Sequence, residues 1–254
     1  MFQPASISAV SVVMPTFNEA GNIAALMHDV VENIRGSGVA SIEVVVVDDD
    51  SPDRTWEVAE RTPTNGAEVR VIRRMADHGL TASIREGIQN AKHDVIVWLD
   101  CDFSHPPDRI PQLLFMLGQG FDVAVNSRYT VGGGEDRSGK GGAVQLFLSH
   151  FLNWFVRFLL TASFSDYTSG FVAARKEVLQ AVPLRGDYGE YFVDFIYRVL
   201  RTRKFRVCEL PFLAPPRRSG ESKTGSSLAD YWKRGRKYLG TVIKLRCEAF
   251  AGRV

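Results

Sequence analysis

An α/β fold, with a mostly parallel central sheet flanked by helices and a helical C-terminal extension, is what this sequence predicts. Three observations carry that expectation. Short β-branched runs alternate with helix-length stretches through the first half of the chain. The run Val44-Val45-Val46-Val47 is apolar without alternation, as in a strand covered on both faces. Asp- and Asn-bearing turns follow the apolar runs, where parallel strands open into ligand-binding loops.

Taken in order, residues 10–14 form the first expected strand and residues 18–35 a helix. Residues 42–47 are the second strand. Ser51-Pro52 then supplies an N-cap and a first-turn proline for a helix toward residue 61. Strands at 68–72 and 95–99 flank a helix over about 79–91, Pro106-Pro107 opens another helix, and 122–126 is the next strand. Beyond Arg128 the regularity fades into a glycine-rich loop over 130–142, a composition suited to a lid. The aromatic, Leu-rich stretch 144–164 contains Gln145, His150, Asn153 and Arg157. It is too polar to span a bilayer and suits a helix lying in an interface or buried. A turn at 165–170, helices at 176–182 and 187–203, a strand at 205–210, a loop at 214–225 and a basic helix over 228–250 complete the chain. Residues 1–225 thus read as one domain, with interface helices at about 143–164, and residues 226–254 as a basic helical tail.

With 254 residues and 45% hydrophobic content, the chain can bury one large core without disulfides or a structural metal. Cys101, Cys208 and Cys247 are odd in number and lack metal-ligand spacing, which suits reduced thiols in a cytoplasmic protein. The N-terminal segment has no basic stretch followed by a long apolar run, so no signal peptide is expected. Residues 198–254 hold 15 Lys/Arg against 4 Asp/Glu, whereas residues 1–197 hold 16 against 25. That asymmetry asks for an anionic partner. Nucleic acid is excluded by the lack of any recognition signature, leaving ligand phosphates and anionic lipid.

Three clusters fall at expected strand ends: Pro15-Thr16-Phe17-Asn18-Glu19, Asp48-Asp49-Asp50-Ser51-Pro52 and Asp100-Cys101-Asp102. Helix capping accounts for Ser51 and Asn18. It does not account for five aspartates converging on one sheet edge, which repel one another unless a cation or donors neutralise them. Asp100 and Asp102, on one short loop, can hold Mg²⁺ or Mn²⁺ while substrate phosphates complete the coordination.

The segments VVMPTFNEAGNI, VVVDDDSPDRT, RRMADHGLTASIREG, VIVWLDCDFSHPP, NSRYTVGGG, DYTSGFVAARKEV and RRSGESKTG occur in this order over residues 10 to about 225. This set resembles the family 2 glycosyltransferases of the Rossmann-like GT-A fold, and within them the dolichol-phosphate and polyprenyl-phosphate mannose synthases. The resemblance implies inverting, metal-dependent transfer of mannose from GDP-mannose to a polyprenyl phosphate, with peripheral contact to the cytoplasmic membrane face through 144–164 and the basic helix. It places Pro15, Phe17, Glu19, Val47 and Asp49 around the nucleoside, and Asp100 and Asp102 on the metal and diphosphate, with Cys101 and Ser104 in the same donor loop. Arg217, Ser222 and Lys223 would close over donor and acceptor phosphates, Arg217 and Lys223 with a catalytic part. Arg175 would be a further donor-side cation, and Arg128 and Arg137, with Ser222, would face the acceptor phosphate. Such residues suit a reaction in which the departing diphosphate is stabilised by a divalent ion and guanidinium groups.

Some features depart from that pattern. Ser104 stands where many relatives have Gln, and Phe17 where Tyr is common. Glu190 and Asp194 lie where hydroxyl-directed members of the wider family keep a catalytic base. The alternative for this pair is an ordinary helix face meeting Arg198 at the next turn. A UDP-sugar donor or a hydroxyl acceptor is therefore the competing function. A nucleotide-binding module without turnover would not require the metal, donor and closing-loop residues together. A dinucleotide-dependent dehydrogenase lacks support because no G-x-G-x-x-G follows the first strand.

Overall fold

The structure is a computed structural model. It describes residues 6–136, 142–215 and 228–252, with side chains for 6–136, 146–215 and 235–252. The first half comprises β1 (Ala9–Thr16), α1 (Ile23–Gly36), β2 (Ser41–Asp48), α2 (Thr55–Arg61), β3 (Glu68–Arg73), α3 (Leu80–Asn90) and β4 (Val95–Trp98). A 3₁₀ turn (Pro107–Arg109) leads into α4 (Ile110–Gly118), β5 (Val123–Ser127), β6 (Gly134–Glu135) and α5 (Gly142–Leu159). Then come β7 (Val172–Arg175), α6 (Lys176–Ala181), α7 (Glu190–Thr202), β8 (Val207–Pro211), β9 (Leu213–Ala214) and α8 (Leu228–Phe250).

Seven strands form one sheet in the order β3-β2-β1-β4-β7-β5-β8, and β6 pairs with β9 separately. Neighbours in the large sheet are parallel except at β7, which runs antiparallel to both β4 and β5. The valine run of β2 explains the layering. Val44 and Val46 pack into the cluster formed with α1 and α4, while Val45 and Val47 pack into the opposite cluster with α3, α7 and α8. Helix α1 buries Ile23, Leu26, Met27, Val30, Val31 and Ile34, the spacing of a one-sided amphipathic helix. Helix α3 lies close on the sheet because Gly87 has no side chain: a Cβ there would stand 2.4 Å from Cγ1 of Val13. The basic C-terminal helix is docked, with Val242 and Leu245 fully buried in the same core as α7.

Several boundaries depart from expectation. Helix α1 begins at Ile23, because Asn18 adopts a left-handed backbone (φ 56°) that ends any helix running through it. Helix α2 begins at Thr55, because Ser51 is drawn back to Asp48 and does not cap. Strand β7 has no counterpart in the sequence reading, being four residues long between a turn and a helix. The strand expected at 205–210 begins at Val207. Among the described residues, no helix is long and apolar enough to cross a membrane.

Candidate active site

At the carboxyl edge of the sheet, the loops after β1 and β2 are stitched together. The backbone N–H groups of Asn18, Glu19 and Ala20 donate to Ser51 Oγ (3.0 Å), Thr55 Oγ1 (2.9 Å) and Asp53 Oδ2 (3.0 Å). Asp48 accepts from Ser51 N (2.8 Å), Ser51 Oγ (2.6 Å) and Thr16 Oγ1 (2.8 Å), so it braces the floor of both loops. Glu19 accepts from Asn22 Nδ2 (2.8 Å). Phe17 stands exposed at the rim beside the half-buried Pro15. Val47 does not line an open pocket: its side chain is wholly buried against α3.

Asp49 was expected toward a nucleoside, and here it clamps the segment between β3 and α3. Its carboxylate accepts from Arg74 Nη1 (2.5 Å), Ser83 Oγ (2.7 Å) and the backbone N–H of Gly79 (2.6 Å). Arg74 donates onward to Glu86 (2.8 Å) and to the carbonyl of Asp77 (2.5 Å). Asp50 pairs with Arg73, whose guanidinium lies 4.4 Å over the Trp56 ring. Asp49 and Asp50 of the acidic run are thus neutralised by protein donors, one of the two alternatives that the charge of the run left open. Arg74 carried no spacing signal; only the fold brings it to Asp49.

The loop of residues 99–105 follows β4. Asp100 is half-buried at its start and Asp102 is 4% exposed. Asp102 Oδ1 accepts from the N–H (2.9 Å) and hydroxyl (2.5 Å) of Ser104, a turn closed by the left-handed backbone of Phe103 (φ 65°). Ser104, in the position where Gln is frequent, therefore orients one carboxylate. Cys101 points down into the core and not toward a donor. His105, overlooked in the sequence, fastens the loop: its Nδ1 accepts the Asp100 N–H (3.0 Å), and its ring stacks on Phe171 (4.9 Å). Burial holds the His105 pKa below its ordinary value, against the pull of Asp100 and Asp102. It is thus a neutral ring with its proton on Nε2. Beneath the loop, Trp98 Nε1 donates to Tyr191 Oη (2.9 Å). Two hard carboxylates on a fixed turn fit Mg²⁺ or Mn²⁺. Among the described residues no third His, Cys, Asp or Glu joins them, so ligand phosphates and water would complete the shell.

On the other side of the edge stands Arg128. Its Nε and Nη2 fork onto Asp166 (2.8 and 2.9 Å), and Nη2 also donates to Thr168 (2.8 Å). Burial disfavours both charges, yet the contact raises the Arg128 pKa and lowers that of Asp166. Both charges act on His105, which places this pair beside the loop of Asp100 and Asp102. Arg128 forms one wall of an open cleft of about 350 Å³ between the β5–β6 segment and α5. Asp166 escaped the sequence reading because 38 residues separate it from Arg128.

Arg175 is not at this edge. It pairs with Val95 at the start of β4, where Nη2 donates to the Leu117 carbonyl (2.9 Å). The antiparallel run of β7 carries it to the opposite end of the sheet, correcting its donor-side assignment. Arg137, Arg217, Ser222 and Lys223 lie outside the described residues. Of the two candidate bases, Asp194 is spanned by Arg198 Nε, 2.9 Å from each carboxylate oxygen. Glu190 does not reach Arg198 and accepts from Asp187 N (3.2 Å) at the start of α7.

Comparison with known proteins agrees with this geometry. The model of glycosyl transferase family 2 matches residues 11–182. A dolichol-phosphate mannosyltransferase of Pyrococcus furiosus is 34% identical over 87% of this chain, which spans 61% of that protein's length. A polyprenol monophosphomannose synthase of Mycolicibacterium smegmatis is 32% identical, the match covering 85% of this chain and 81% of the relative. Among solved structures, glucosyl-3-phosphoglycerate synthase of Mycobacterium tuberculosis, in complex with Mn²⁺, UDP and glucosyl-3-phosphoglycerate, superposes with a TM-score of 0.67 at 19% identity. That match covers 94% of this chain and 80% of the other, and it shows the common fold. The chain belongs to glycosyl transferase family 2 and is a glycosyltransferase built on the GT-A fold.

Proposed function

We propose that the chain transfers mannose from GDP-mannose to a polyprenyl phosphate, with inversion and with Mg²⁺ or Mn²⁺, at the cytoplasmic face of a membrane. The mannose and the polyprenyl phosphate rest on the names of the relatives. The observation carrying the acceptor class is the pairing of Asp194 with Arg198. Asp194, one of the two carboxylates available as a base, is occupied, while a half-buried cation, Arg128, is fixed by Asp166 beside the loop of Asp100 and Asp102. An acceptor phosphate is already ionised at neutral pH and needs a cation, not a base.

In this mechanism an acceptor phosphate oxygen forms its bond to the anomeric carbon from the face opposite the leaving group. The bond to the diphosphate breaks on the other face, and the nucleoside diphosphate departs with the electron pair. No proton moves. A divalent ion held by Asp100 and Asp102 would supply charge neutralisation for the diphosphate. Ser104 and His105 keep the two carboxylates in register. Arg128, with its fork fixed by Asp166, orients the acceptor phosphate, and Arg137, Arg217, Ser222 and Lys223 are assigned to the phosphates of both substrates.

Transfer of radiolabel from a panel of GDP- and UDP-sugars into organic-extractable polyprenyl phosphate tests this. The expected result is metal-dependent labelling from GDP-mannose that Asp102→Ala abolishes. Nucleotide release without lipid labelling would move the acceptor to a hydroxyl, with Glu190 as the base.

A further inference from the structure

One polar side chain on the central sheet is sealed in with nothing to bond to. Asn126, in β5, is 0% exposed, and both its Oδ1 and its Nδ2 are buried without a hydrogen-bond partner among the described residues. Its backbone, by contrast, is fully used: the N–H donates to the Phe171 carbonyl (3.0 Å), and the carbonyl accepts from the Ser169 hydroxyl. Burying a carboxamide with neither end paired is costly, so its presence in the core of a sheet asks for a reason.

The neighbours show what the amide faces. Along β5, Val123 and Val125 pack into one core cluster and Ala124 into the other, so alternation turns Asn126 to the side of Ala124. Phe171, just before β7, and Phe212, just after β8, belong to that same cluster and flank β5 on its two sides. Their rings meet across β5 at 5.9 Å, and His105 closes the group, stacked 4.9 Å from Phe171 and edge-on 6.4 Å from Phe212. The His105 ring thus lies over the part of β5 that carries Asn126. Its Nδ1 is taken by the Asp100 N–H, so the neutral ring carries its one proton on Nε2. No hydrogen bond joins that Nε2 to the amide. A donor and an orphaned acceptor enclosed by the same rings are the setting in which a protein holds internal water.

We propose that Asn126 holds ordered water against the Nε2–H edge of His105, and that this contact makes Asn126 a positioning residue for the loop of Asp100 and Asp102. The water accepts from Nε2–H and donates to Oδ1 of the amide. With its proton anchored on that side, the ring cannot turn over or change tautomer without stranding a buried donor, so Nδ1 stays available to the Asp100 N–H. The consequence for divalent-ion binding rests on the proposed function; the water site itself does not.

Nuclear magnetic resonance of the full, metal-free, isotope-labelled chain at one fixed neutral pH tests this, with the His105 signals assigned by their loss in His105→Asn. Wild type should show the Nε2–H tautomer, with a cross-relaxation peak between that proton and bound water. Asn126→Val, whose side chain suits a buried strand, should fold with a Tm no lower than wild type and lose the water contact. Its Asp100 amide should exchange about tenfold faster, the worth of one hydrogen bond. Asn126→Thr, of the same shape but with a hydroxyl, should recover part of both effects. A proton on Nδ1 of His105, no water contact in wild type, a wild-type Asp100 exchange rate in Asn126→Val, or equal losses in Asn126→Val and Asn126→Thr would each overturn the proposal. If Asn126→Val does not fold, the water contact in wild type and its survival in Asn126→Thr decide. Calorimetric titration of Mn²⁺ in the presence of GDP separates the two readings, and there Asn126→Val should bind the ion about tenfold more weakly. Wild type that binds Mn²⁺ without the water contact defeats the water site alone. Wild type with the water contact that binds no Mn²⁺ defeats the metal reading alone.

Discussion

His105 shows how a single ring can fasten the loop that carries Asp100 and Asp102. Its unprotonated Nδ1 accepts the Asp100 N–H, so protonation would break that bond and put a cation beside the carboxylates of Asp100 and Asp102. Because burial lowers its pKa in the fold, the unfolded chain binds the proton more readily. The contribution of His105 to stability is therefore complete above the ordinary imidazole value of 6.5 and is lost as pH falls below it. Thermal melts across pH should show this slope in wild type and a flatter one in His105→Asn, whose side-chain oxygen can still accept. Ser104→Ala removes a hydroxyl from Asp102 and should weaken Mn²⁺ binding about 10-fold or more, read by calorimetric titration in the presence of nucleotide. The sequence made Asp100 and Asp102 visible because a doublet after a buried strand is a local pattern. It concealed His105 because an imidazole three residues beyond Asp102 looks like any other loop residue until its ring is found under Phe171.

Among the elements, α3 depends on one missing side chain. Gly87→Ala adds a Cβ 2.4 Å from Val13 and 3.1 Å from Val47, both in the core of the sheet. Overpacking of this kind costs about 1–3 kcal/mol, against roughly 1 kcal/mol of regained helix propensity. Chemical denaturation should therefore show net destabilisation, with the Asp49–Gly79 clamp at the head of α3 loosened. Helices α7 and α8 are tied by Arg198, which bridges Asp194 and Glu248. Arg198→Met should lower stability by about 3 kcal/mol, since it strands the Asp194 carboxylate, whose pKa burial already raises. Glu248→Gln, at a solvated end of the bridge, should cost under about 1 kcal/mol. The regular βα pairs were legible from period and run length alone. The starts of α1 and α2 were not, because Asn18 and Ser51 answer to partners on the neighbouring loop and not to the helices they precede.

For the whole molecule, the parallel core and the position of the loops after β1, β2 and β4 follow from local pattern, whereas the surroundings of Arg128 are set by a strand that pattern did not reveal. Ala173 of β7 is paired on both sides, opposite Val97 of β4 and Ala124 of β5. Ala173→Pro should abolish cooperative unfolding, measured by circular dichroism, because a central strand cannot lose a ladder donor. The reversed direction of this strand also sets the order in which the molecule can be completed. Strands β4 and β5 never meet, so a growing chain leaves the edge of β4 open until residues 172–175 are made and threaded between them. Asp166 and Thr168 arrive with that event, and only then is the guanidinium of Arg128 gripped by its two-pronged carboxylate partner. Folding of the half that holds β5 and β7 is thus a late, long-range closure, and pulse-labelled hydrogen exchange should find β1 and β2 protected before β5 and β7.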